Sequence, residues 1–97
     1  MADASKYHAI RQVAITSGTW TAVTCPIECA RFVVENTDAS NAVKLRTDSA
    51  DSTTEKTLPA SLEYAPPMSR SCFQANDTVL YAQSVAATGT LCVSFHL

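Results

Sequence analysis

The sequence predicts an all-β protein, an antiparallel β-sandwich or jelly roll of seven to eight short strands. Three observations carry that prediction. Turn-forming residues recur about every ten positions, short β-rich runs fill the gaps, and no window holds a sustained apolar stripe at helical spacing. Many short strands separated by regular turns, in a chain of 97 residues, fit one domain of two packed sheets.

The runs follow in order. Residues 10–16 end at Ser17-Gly18, and residues 19–25 carry Trp20 and stop at Pro26. In residues 29–36, Phe32 and Val34 share a face while Val33 lies between Arg31 and Glu35. Residues 42–48 set Val43 and Leu45 against Lys44 and Arg46, one dry face and one wet. The polar stretches 37–41 and 48–56 read as solvent-facing loops, followed by Pro59 and a short run at 61–64. A further short piece near 70–74 comes after Pro66-Pro67. Residues 77–84, opened by Asn76-Asp77, contain Val79-Leu80-Tyr81-Ala82, apolar on both faces. That fits a central strand or one covered by another chain. Residues 90–96 and Leu97 place Leu91, Val93, Phe95 and Leu97 opposite Thr90, Cys92, Ser94 and His96. All four prolines fall outside these runs, as the missing ladder donor requires. Both glycines, Gly18 and Gly89, fall where a hairpin calls for positive φ. Residues 1–8 are expected to form an N-terminal arm and residues 9–97 a single sandwich domain.

Composition narrows the function. Only 16% of the residues are charged, against about 25% in an average domain, and Ser, Thr and Ala fill the gap. A net charge of −2 offers no basic face for nucleic acid. The start of the chain has Asp3 where a signal peptide wants bases, and no apolar segment is long enough to cross a membrane. The expectation is folding in a cytoplasm, with Cys25, Cys29, Cys72 and Cys92 as reduced thiols. Charge is also unevenly spread. Ten of the sixteen charged side chains lie between Arg31 and Glu63, while residues 13–30 hold only Glu28 and residues 71–97 only Asp77. Strands so poor in charge invite edge pairing if exposed, so they lie inside a sheet or beneath another subunit.

Cys25-Pro-Ile-Glu-Cys29 has CxxxC spacing rather than a zinc knuckle, and Cys72 and Cys92 form no second tight pair. A zinc site, a disulfide and buried thiols packed as small hydrophobes all remain open. His8 and His96, the only histidines, stand at opposite ends of the chain and cannot alone supply a cupin-type metal cluster. There is no nucleophile elbow and no phosphate-binding glycine loop. The chain is expected to have no catalytic residues and to need no cofactor or metal. Lys44 and Arg46 share one strand face, suited to an acidic partner or simply to solvent. Trp20 is a core plug or an interface anchor. Tyr64-Ala-Pro-Pro-Met68 is a stiff apolar loop, suited to docking or to closing its own barrel end. The candidate interface residues are Tyr7, Trp20, Tyr64, Pro66, Pro67, Met68 and Tyr81.

Residues 76–84, containing Thr78-Val79-Leu80-Tyr81-Ala82-Gln83-Ser84, lead through Gly89 to Thr90-Leu91-Cys92-Val93-Ser94-Phe95. This ending resembles that of small β-sandwich virion proteins of tailed bacteriophages, of the capsid decoration or cement type. Upstream, Val33-Val34-Glu35-Asn36 and Val43-Lys44-Leu45-Arg46-Thr47 are similar to a hairpin of the same proteins. The chain departs from their pattern at Ala60, where a glycine usually follows the Leu-Pro. The resemblance implies a non-enzymatic protein on the capsid surface of a virion. It would assemble in the host cytoplasm as a dimer or trimer with itself and bind the major capsid protein. The other readings are a tail, neck or fibre-associated adaptor or receptor-binding sandwich, and a small carbohydrate-binding or cupin-like domain.

Overall fold

The computed structural model describes residues 8–66 and 73–97. Eight strands follow one another: β1 (His8–Thr16), β2 (Thr21–Thr24), β3 (Arg31–Asn36), β4 (Val43–Arg46), β5 (Lys56–Leu58), β6 (Glu63–Tyr64), β7 (Thr78–Ser84) and β8 (Thr88–His96). One short 3-10 turn, Ser52–Thr54, lies between β4 and β5. The strands form two four-stranded antiparallel sheets, ordered β1-β8-β3-β6 and β2-β7-β4-β5. Strand pairs β1–β8, β2–β7, β3–β6 and β4–β5 are those of a single long hairpin with its tip at β4–β5. Rolling that hairpin sends most successive strands to opposite sheets, which is the jelly-roll winding.

Side-chain alternation builds the core. Phe32, Val34 and Asn36 of β3, Leu91, Val93 and Phe95 of β8, and Leu80 and Ala82 of β7 point inward and are buried. They meet Ile15, Val23, Val43, Leu45 and Leu58 from the remaining strands. Phe32 lies near Phe95 and takes Phe73 edge-on, with centroids 6.5 and 6.1 Å apart. Leu97, grouped with this face by alternation, lies beyond the end of β8 and is exposed.

Several expectations need amendment. Strand β5 falls at residues read as a loop and its unassigned edge. Three residues are too few to display an alternation, and the strand exists only because β4 supplies a ladder for it. The piece expected near 70–74 lies mostly outside the described residues. Within it, Phe73 forms an isolated bridge with Cys29 and no strand. His8, assigned to the arm, opens β1 opposite His96. Gly18 does take positive φ (76°), but the other left-handed residues are Ser61 and Asn76, not Gly89. Gly89 sits within β8 for space instead: a Cβ there would come 3.0 Å from Ser84 Oγ and 3.5 Å from Ile15 Cγ1.

The two charge-poor regions have different fates. Strands β7 and β8 are central, each flanked on both sides, so their lack of charge follows from burial within the sheets. Strands β1 and β2 are edges, one of each sheet, and they border the same open side of the sandwich. The opposite open side, between β5 and β6, carries Lys56 and Glu63.

Candidate functional site

Among the described residues, the structure sorts the predicted interface residues into two places rather than one. Tyr7, Pro67 and Met68 lie outside the described residues. Tyr64 and Pro66 line an apolar cavity of about 200 Å³ with Phe32, Phe73, Val79 and Leu80, and Thr47 is its polar member. Tyr64 is placed there by its pairing with Val34, which turns both side chains inward. Lys56 shares the inward face of β5 with Leu58, and its ammonium lies 4.9 Å from the Tyr64 ring centroid.

Trp20 is not a core plug. It lies half-buried against the outer face of the second sheet, with the Arg46 guanidinium 4.3 Å above its ring. Arg46 is held there by three bonds: Nε and Nη2 donate to Glu55 Oε1 at 3.0 and 2.8 Å, and Nη1 donates to the Ser49 carbonyl at 2.8 Å. A guanidinium stacked on indole and forked onto a carboxylate is already satisfied. Arg46 is therefore committed within the chain, and only Lys44 of the pair keeps an unoccupied charge among the described residues. Tyr81 pairs with Ala22 and Arg46 on the same outer face.

Sequence reasoning missed the other open side. Arg11 alternates onto the inward face of edge strand β1, and its Nη1 reaches Thr24 of β2, 3.1 Å from Oγ1 and 3.4 Å from the carbonyl. Each open side is thus spanned by a long cation set on an inward-facing edge position, Arg11 on one and Lys56 on the other. The signal was visible as Arg11 falling in phase with Val13 and Ile15.

The titratable groups form no assembled reaction centre among the described residues. His8 and His96 stack on the outer face of the first sheet, centroids 4.6 Å apart and planes 12° from parallel. Arg31 is the β3 partner of His96. Partial burial, then the charges of His8 and Arg31, hold the His96 pKa below the usual histidine value. Cys25 and Cys92 are thiols outside any disulfide. The Cys25 thiol donates to the Gln74 carbonyl at 3.0 Å, and Cys29 is buried behind its bridge to Phe73. Among the described residues no group of three or more His, Cys, Asp or Glu side chains is placed to hold a metal.

Compared with known protein families, with characterised proteins and with solved structures, the chain matches none.

Proposed function

We propose that this chain is a structural, non-enzymatic protein of a tailed-phage virion, a capsid decoration or cement protein that oligomerises and stabilises the head shell. The observation that carries the reading is the charge-poor open side formed by β1 and β2. Between His8 and Thr24 the one Lys, Arg, Asp or Glu is Arg11, and its guanidinium is turned onto Thr24. An edge left without outward charge is suited to being covered by protein. The resemblance adds to this, since the phage-like words at 76–84 and 87–95 fall on β7 and β8. The mechanism is mass action. A protein that binds the assembled shell and not its separate subunits stabilises the shell by the free energy of binding. The partners are further copies of this chain and the major capsid protein, on the outside of the head.

A glycan-binding reading is less well supported, because the exposed face of Trp20, the natural platform for a sugar, is occupied by Arg46. The test is co-sedimentation with purified, expanded heads of a tailed phage. Saturable pelleting, and heads that rupture at higher temperature, are expected. Protein that stays in the supernatant overturns the reading. Gold labelling of whole particles at the tail or neck would favour the adaptor alternative.

A further inference from the structure

We propose that the free edge of β1 pairs antiparallel with the same edge of a second copy, about a two-fold axis at Gln12, making one continuous sheet across a dimer. The inference deepens the oligomer reading above and rests on it for its biological sense.

The four edge strands are unequal. Strands β6, β5 and β2 have two, three and four residues, while β1 has nine. Short edges are one device by which sheets avoid unwanted pairing, and β1 lacks it. Its outward face carries no charge, since Ile10, Gln12 and Ala14 point away from the core; the one protective device it has is the inward-pointing Arg11, whose guanidinium is engaged by Thr24 of its own chain. Ile10 is 62% exposed, the most of any large apolar residue described.

Among the described residues no strand pairs with this edge of β1. Ser17 N–H donates to the Ala87 carbonyl at 3.3 Å, and the β1–β8 register runs unbroken from there to His8 opposite His96. Bonded and non-bonded pairs alternate along an antiparallel ladder, so the odd-numbered residues of β1 bond to β8. The N–H and C=O groups of Ile10, Gln12 and Ala14 therefore face the free edge.

One register suits a second copy. With the axis at Gln12, all of β1 is paired: Gln12 lies opposite itself, Ile10 opposite Ala14, and His8 opposite Thr16. Even-numbered residues then meet even-numbered ones, so their edge-facing groups bond reciprocally. Arg11 faces Val13. Shifting the axis by one residue to Arg11 would set two guanidinium groups side by side, which is unfavourable. The Gln12 register has no opposed like charges, and each Ile10 gains an apolar neighbour.

The test is sedimentation equilibrium on the full chain from micromolar to submillimolar concentration, with amide hydrogen exchange followed by NMR. A dimer is expected, with slowed exchange at Ile10, Gln12 and Ala14 that appears as the dimer forms. Gln12→Pro removes an edge-facing donor, and Gln12→Lys sets two ammonium groups together at the axis. Each should weaken the dimer by about a hundredfold or more, equivalent to about 2.7 kcal/mol, with the fold retained. A chain that is monomeric throughout overturns the proposal. So does a dimer whose three amides exchange freely, or one that survives both substitutions. Head co-sedimentation separates this outcome from the functional one. A β1 dimer that ignores heads removes only the functional reading, and a head-binding chain without the β1 dimer removes only this inference.

Discussion

Asn36 has no exposed surface, yet its amide joins the β3–β4 loop to the end of β5 and the residue after it. Nδ2 donates to the carbonyls of Asn41, Leu58 and Pro59 at 2.9, 3.2 and 3.2 Å, and Oδ1 accepts from the Asp38 N–H at 3.0 Å. The side chain ties the β3–β4 turn to the end of β5. Asn36→Asp offers these carbonyls no ionised-state donor and buries a charge among them, so it should cost about 3 kcal/mol or more in urea unfolding. Asn36→Ala should cost about 2–4 kcal/mol by the same measurement. In the sequence Asn36 stands out only as the end of the stretch Val33-Val34-Glu35-Asn36, and its buried role is not visible, since an Asn at the end of a β-run looks like the start of a loop. A second residue-scale contact joins Gly89 and Ser84, whose Oγ is buried without a hydrogen-bond partner. Gly89→Ala should destabilise by about 1–2 kcal/mol as the new methyl meets that hydroxyl. Ser84→Ala alone should be close to neutral, because it deletes an unsatisfied group. The double variant should recover most of the loss, a coupling readable in a thermodynamic cycle.

At the scale of elements, β1 is the most informative strand because its two edges differ. If its odd-numbered residues bond to β8, proline is tolerated or not by parity alone. Val13→Pro should lose a ladder bond to β8 and cost at least about 2 kcal/mol, while Gln12→Pro should leave the monomer's stability within about 1 kcal/mol. Circular dichroism melts of both variants, under conditions that keep the chain monomeric, check the parity directly. The sequence located seven of the eight strands to within two residues at most ends, because alternation and turn residues are local signals. It did not find β5, and it could not distinguish β7 and β8 as central from β1 and β2 as edges. An apolar, uncharged strand reads the same in either place. The 3-10 turn was equally hidden. Asp51 accepts from the Thr53 N–H and hydroxyl at 2.9 and 2.6 Å, and a polar loop with many Asp, Ser and Thr residues does not say which one caps.

Across the whole molecule, protonation should act in one direction. His96 has a lowered pKa in the fold, so the unfolded chain takes up its proton first, and stability falls as the pH drops below about 6.5. Asp38, which accepts from the Ser40 and Asn41 N–H groups and the Asn41 side chain, has its pKa pulled down. So has Asp51, chiefly through the Thr53 hydroxyl and then its N–H. Their contribution is present above about pH 4 and is lost as the pH falls through their lower folded values. Thermal midpoints measured from neutral to strongly acidic pH should therefore decline in two stages, and His96→Gln should remove the upper one. A midpoint that rose on acidification through the histidine range would contradict the placement of His96 against the stacked His8 ring and its strand partner Arg31. Of the candidate site, the sequence supplied the uncharged stretches and the aromatic residues, but not their company: Trp20 lies beneath Arg46, and Tyr64 is turned toward a cavity. What the sequence alone determined was an all-β chain, most of its strands and their inward faces, since an extended backbone alternates its side chains whatever it pairs with. Only the tertiary structure decided the jelly-roll winding, the satisfied state of Arg46, and which uncharged strands stay open at an edge. Each of those depends on the free energy of contacts between residues far apart in the chain, and no local pattern records the partner.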